Sequence, residues 1–236
     1  MRVLAVSPHF DDVPLSLGQS LVDGVLADHT VRVGVVFGRT NWVQWFHPTP
    51  ERAKFVSVIR RAEETIAARR FGYRLRVGDR QEAILRTGDM STTALLDATF
   101  DPSASPELDP VLELMRTWAE DADAVLVPLA LGDHIDHRLV TAAGFRLAAE
   151  GIDVAFYEDR PYVCTLGDDE IAAEVARWGA DLAPHDVSGP ITAAKHHRIW
   201  YPSQLDEFFH TAMRLDEKLG RRERVWAAPG AARWLA

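Results

Sequence analysis

Apolar residues in this chain fall into short runs, and glycine, proline and charged residues punctuate them. Residues 3–6, 31–37, 73–77, 124–128 and 153–157 are apolar or β-branched runs of strand length, and each reads as a buried strand. The stretches between several of them carry helical spacing. Residues 13–21 read as a helix with Pro14 in its first turn, where a missing N–H costs nothing. Residues 51–71 place Phe55, Val58, Ile59, Ala62, Ile66 and Ala67 on one face and stop at Gly72. Residues 111–122 turn Leu112, Met115, Trp118 and Ala119 inward, and residues 138–150 run to Gly151.

Other segments are less regular. Residues 79–106 hold at most a helical turn at 81–85, and 100–110 reads as a loop. Residues 163–190 are of mixed character, 191–201 and 205–219 look helical, and the tail from Arg221 reads as short and irregular. Strands alternating with helices predict an α/β fold: a doubly wound, mostly parallel, Rossmann-like sheet with helices on both faces. The expectation is a single domain over 1–236, with a mainly helical C-terminal portion from about 190.

Composition narrows the function classes. A net charge of −9 and a pI near 5.5 argue against nucleic acid as a partner. No apolar run approaches the ~20 residues needed to cross a bilayer, so no membrane association is expected. The single cysteine, Cys164, cannot form an internal disulfide. With no recognisable signal segment, the chain reads as cytoplasmic. Oligomerisation of identical chains stays open.

Two clusters carry candidate chemistry. Ser7, Pro8, His9, Phe10, Asp11 and Asp12 follow the first strand, and Asp133, His134, Ile135, Asp136 and His137 follow the strand at 124–128. In an open α/β sheet both sets belong at the carboxyl edge, where ligands bind. His9 and Asp12, three apart on a tight loop, can reach one ion, and His137 from the other loop supplies a third ligand. Three protein ligands and an open fourth position are the pattern of a catalytic zinc site. Asp11 is then placed to take a proton from water, and His134 to assist the oxyanion and the departing amine. Asp136 or Asp133 can hold a histidine ring in one tautomer. Simpler roles exist for each residue alone: Asp11 and Asp12 as helix caps, His134 and His137 as surface residues on a turn. Two such clusters behind strands of one sheet favour the metal reading.

These residues resemble the LmbE-like (PIG-L) family of zinc-dependent N-acetylglucosaminyl deacetylases, whose motifs are His-Pro-Asp-Asp-Glu and His-x-Asp-His. Agreement continues through Arg60 to Glu63, Gly72, Tyr157 to Tyr162, Lys195 and Tyr201 to Gln204. The resemblance implies one Zn²⁺ held by His9, Asp12 and His137, with Asp11 as general base and His134 beside the oxyanion. It also implies a substrate contact from Arg60. Phe10 and Val13 depart from the motif, and Gly132 stands where some members carry a tyrosine. The implied activity is removal of an N-acyl group, acetyl above all, from an amino sugar or glycosylated metabolite, as in natural-product biosynthesis. The alternatives are an amidase acting on a sugar–thiol conjugate and a non-catalytic sugar-binding protein. Trp42 and Trp45, on an aromatic-rich loop, either contact substrate or anchor that loop to the core. Asp79 could bond a hydroxyl or be a plain turn residue.

Overall fold

The computed structural model describes residues 1–232 and Trp234; the last positions of the tail read as irregular lie outside them. The strands are β1 Arg2–Ser7, β2 Thr30–Val35, β3 Arg74–Val77, β4 Ala124–Pro128, β5 Val154–Tyr157, β6 Ala183–Pro190 and β7 Arg222–Ala227. The helices are α1 Asp12–Asp23, α2 Ala53–Phe71, α3 Ala83–Thr87, α4 Thr92–Leu95, α5 Leu108–Ala119, α6 Ile135–Ala149, α7 Asp168–Ala176, α8 Ala193–His196 and α9 Glu207–Lys218. One sheet of seven strands runs in the order β3-β2-β1-β4-β5-β7-β6. The first five are parallel, and β7 pairs antiparallel with both β5 and β6.

Strand periodicity explains the layers. Successive side chains point to opposite faces, so Leu4 and Val6 join one core with Val125, Val127 and the inward residues of α5 and α6. Val3 and Ala5 join the other with Leu126, Ala155 and residues of α1 and α2. Because helices cover both faces, β1, β4 and β5 are apolar at nearly every position, as parallel strands must be. The chain winds from β1 out to β3, then crosses back to lay β4 on the other side of β1. The ends of β1 and β4 therefore flank the point where the winding reverses, and a crevice opens there. Among the described residues no helix is long and apolar enough to cross a membrane.

Four sequence expectations are corrected. The tail from Arg221 is not irregular: it enters the sheet as β7, and residues 191–201 contain only the single turn α8. Helix α6 begins at Ile135 rather than 138, so Asp136 and His137 sit in its first turn, and the His134 ring caps it by accepting the Asp136 N–H. Helix α2 is rotated from its predicted face. Phe55 and Val58 are 60% and 63% exposed, while Arg60, Glu63 and Glu64 are buried.

Packing between β2 and α5 is close enough to test. A Cβ at Gly34 would lie 2.5 Å from Cε3 of the buried Trp118 ring. Gly34→Ala is expected to destabilise the chain by about 1–3 kcal/mol through overpacking, read as a thermal midpoint several degrees lower. An unchanged midpoint would show that this helix–sheet spacing is loose.

Candidate functional site

The turn after β1 is tied to itself. The His9 N–H donates to Asp12 Oδ2 at 2.6 Å, and the Ser7 hydroxyl donates to the His9 carbonyl while accepting the Val13 N–H. Asp11 adopts a left-handed backbone, φ 99°, which is unfavourable for a non-glycine residue. Its N–H donates to Glu64 Oε2 at 3.1 Å. Its side chain makes no helix-capping bond, so the simple capping role does not apply to Asp11. Asp11 Oδ2 instead lies 3.4 Å from the Arg60 guanidinium, which also donates to Glu82 and to the Phe10 carbonyl.

The turns after β1 and β4 meet. The rings of His9, His134 and His137 have centroids 4.7–5.3 Å apart. One ring nitrogen from each lies within 4.8 Å of the others. Hydrogen bonds distinguish the three. His9 Nε2 bonds Asp136 Oδ2 at 2.9 Å, and His137 Nδ1 bonds Asp159 Oδ1 at 2.6 Å. In the neutral ring each of these nitrogens carries the proton toward its carboxylate, which makes His9 Nδ1 and His137 Nε2 the lone pairs a metal ion would use. His9 Nδ1 lies 3.6 Å from Asp12 Oδ2, and His137 Nε2 lies 3.5 Å from Asp12 Oδ1. Ligand atoms at the corners of a tetrahedron ~2.0–2.1 Å from a zinc ion lie about 3.4 Å apart. Each ring nitrogen is spaced from an Asp12 oxygen close to that distance, and two imidazoles with a carboxylate are donors that zinc takes, so the residues present fit such an ion.

His134 is different. Its Nδ1 accepts the Asp136 N–H at 3.2 Å, so in the neutral ring Nε2 holds the proton. That makes Nε2 a hydrogen-bond donor rather than a ligand. Burial, and then the neighbouring His9 charge, push this ring well below the usual histidine range, so it is neutral.

Charges around the site are strongly shifted. Burial works against a charge on His9, but the bond to Asp136 and the nearby Glu82 and Asp12 carboxylates outweigh it and raise the ring to about 9. Burial likewise acts on Asp136, yet His9 and the Arg86 guanidinium, 2.6 Å away, hold its carboxyl well below the usual range. Asp11 is raised well above it by burial, against the pull of Arg60.

A cavity of about 270 Å³ opens over these groups, lined by His9, Asp11, Asp12, Arg60, His134 and His137. Asp136 and Trp42 also reach it, whereas Trp45 and Asp79 are not among its lining residues. Asp159, in the stretch Tyr157 to Tyr162, is buried just after β5. It bonds His137 and the N–H groups of Leu129 and Leu131, while Arg160 pairs with Asp216. Arg86 and Glu64 were missed, since lone charged residues far from either cluster carry no sequence signal. Tyr162 fills the space beside Gly132: a Cβ there would lie 2.4 Å from its ring.

No family model matches the chain. It is 33% identical over 210 residues to a 2'-N-acetylparomamine deacetylase of Streptomyces fradiae, covering 87% of this chain and 74% of that protein. It is 30% identical over 182 residues to the enzyme of the same name from Niallia circulans, covering 66% of each. Among solved structures, a triple mutant of a deacetylase of the teicoplanin biosynthetic pathway superposes with a TM-score of 0.67 at 21% identity, covering 96% of this chain and 97% of that one. A 4-carboxy-2-hydroxymuconate hydratase from Pseudomonas putida superposes at 0.54 with 15% identity, covering 96% of this chain and 95% of that one. Fold likeness at this level thus spans two chemistries, and the two sequence relatives decide between them. The chain belongs to the family of the 2'-N-acetylparomamine deacetylases, enzymes that hydrolyse N-acetyl amides of amino sugars.

Proposed function

We propose that this protein is an LmbE-like, zinc-dependent N-deacetylase of a small N-acetylated amino sugar or its glycoside, acting in the cytoplasm, with one Zn²⁺ held by His9, Asp12 and His137. The observation that carries the reading is the pair of unbonded ring nitrogens facing the Asp12 carboxylate at 3.6 and 3.5 Å. When bound, zinc supplies Lewis acidity, which makes water acidic enough to act as a nucleophile near neutral pH and polarises the amide carbonyl.

The chain's own residues do the rest. Asp11, raised by burial, takes a proton from the attacking water, and its left-handed backbone keeps the carboxylate in the cavity instead of on the helix terminus. The His134 Nε2–H donates to the carbonyl oxygen as negative charge develops there. Because the His134 ring is neutral, the proton gathered by Asp11, and not one from His134 as the sequence suggested, passes to the departing nitrogen, which leaves as the amine beside acetate. Arg60 steadies Asp11 and borders the substrate space. Asp136 and Asp159 fix the His9 and His137 rings. That every chemical position is filled speaks against a purely binding role.

The direct test is zinc analysis of the purified protein, followed by assay of acetate release from N-acetylated amino sugars. Amine released together with a larger acid would favour the conjugate amidase. His137→Ala is expected to lose zinc, and Asp11→Asn to keep it while kcat falls by about 10²–10⁴-fold. Full zinc in the first variant, or full turnover in the second, removes that residue from its role. Arg86→Ala should weaken zinc binding by about 10–100-fold in chelator competition, with Arg86→Lys recovering part of the loss. Equal affinity in all three proteins would exclude Arg86 from holding the Asp136–His9 pair.

Protonation offers a separate check. His9, at about 9, lies above the histidine model value of 6.5. With zinc chelated, its stabilising contribution is complete below pH ~6.5 and fades as pH rises through about 9, on the order of 3 kcal/mol in all. The urea midpoint of the chelated protein should therefore fall between about pH 6 and about pH 9.5. A flat midpoint would mean that the His9 ring is not held between carboxylates.

A further inference from the structure

The cavity is polar at its floor and apolar at its mouth. Separate segments supply the apolar part, among them Trp42, Ile84, the Met90, Leu95 and Leu96 stretch, and Phe209. Trp42 is 39% exposed and Leu96 37% exposed. Backbone bonds fix both positions. The Trp42 N–H donates to Thr40 Oγ1 and its carbonyl accepts from Gln204 Nε2, while the neighbouring Val43 is 1% exposed and anchors the loop. Leu96 forms a β-bridge with His134, and the Asp97 N–H donates to the Asp133 carbonyl at 3.0 Å. The apolar mouth is thus joined to the loop that carries His134.

The carboxylates lining the same cavity are all engaged. Asp11 faces Arg60, Asp12 accepts the His9 N–H, Glu82 binds Arg60 and the Thr40 hydroxyl, and Asp136 binds His9, Ala83 N–H and Arg86. Each already carries a hydrogen-bonded or charged partner on the polar side of the cavity, and a cation brought against the apolar wall would lose water without compensation. An apolar or aromatic group would gain by burial there, at ~25 cal/mol per Å².

Resting on the deacetylase reading, we infer that the substrate is an N-acetylated amino sugar joined to an apolar, aromatic-containing aglycone. In this arrangement the sugar's acetamide reaches the floor, and the aglycone lies between Trp42, Leu96 and Phe209. This sets the chain apart from an enzyme built for a polyamino saccharide.

The test uses zinc-loaded protein and four probes: methyl, octyl and naphthyl N-acetyl-β-glucosaminides, and 2'-N-acetylparomamine. Acetate release should give a kcat/KM at least tenfold higher for the naphthyl than for the methyl glycoside, with the octyl compound between them. Trp42→Ala and Leu96→Ser should each lower the naphthyl-to-methyl ratio, mainly through KM. A ratio near one, or a preference for acetylparomamine, would overturn the inference and leave the deacetylase reading standing. Binding of the naphthyl and methyl glycosides, followed by tryptophan fluorescence, separates the two failures. Tighter binding of the naphthyl compound without acetate release from any probe would retain the apolar mouth and overturn the deacetylase reading. Equal binding without acetate release would overturn both.

Discussion

Two carboxylate–imidazole bonds, Asp136 to His9 and Asp159 to His137, decide what the rest of this molecule can do. They fix which nitrogen of each ring is free, and both free nitrogens then face Asp12. Each carboxylate is itself held, Asp136 by Arg86 and the Ala83 N–H, Asp159 by the Leu129 and Leu131 N–H groups. Asp159 follows β5, His137 follows β4 and His9 follows β1, so three neighbouring parallel strands each deliver one member at the same edge. With Asp136 paired to Arg86, the buried carboxylates of Asp12 and Asp159 remain around the two rings, and a low-dielectric interior tolerates such negative charge best when a further cation balances it. A proton on His9 or a metal ion between the rings meets that need.

The parts of this arrangement visible in the sequence were those with a local pattern. Strands β1, β2, β4 and β5 stand out because coverage on both faces demands unbroken apolar runs. Strand β7 does not: it alternates Arg222, Glu223, Arg224 and Val225, and Glu223 is buried only because Lys195 and the N–H groups of Gln19 and Ser20 receive it. Helix α2 misled for the converse reason. The face turned inward binds Asp11, Ser203, Tyr73 and Tyr201 through Arg60, Glu63 and Glu64, so Phe55, Val58 and Ala62 of the expected stripe point outward while Ala67 alone of it reaches the core. A hydrophobic pattern reports burial against a core and is silent where burial is against a polar site. The histidine clusters were legible through spacing. Asp159 was not, because nothing near it in sequence indicates which ring it meets in space.

The hydratase with the same fold shows that the sheet alone does not determine chemistry. What individualises this chain is how the residues around the crevice are supported. Asp11 is the clearest case. Its left-handed backbone is unfavourable by about 1–3 kcal/mol, and it persists because Glu64 accepts its N–H. Glu64 is buried and is held in turn by the hydroxyls of Tyr73 and Tyr201. Tyr201 opens the Tyr201 to Gln204 stretch, whose Ser203 is bound to Glu63 and whose Gln204 lines the cavity and donates to the Trp42 carbonyl. One C-terminal segment thus supports both the conformation of the residue proposed to move the proton and the loop proposed to meet the aglycone. The strain at Asp11 and the exposed ring at Trp42 have a common support, so a change at Tyr201 or Ser203 would act on chemistry and on selectivity together although neither residue touches the reacting atoms.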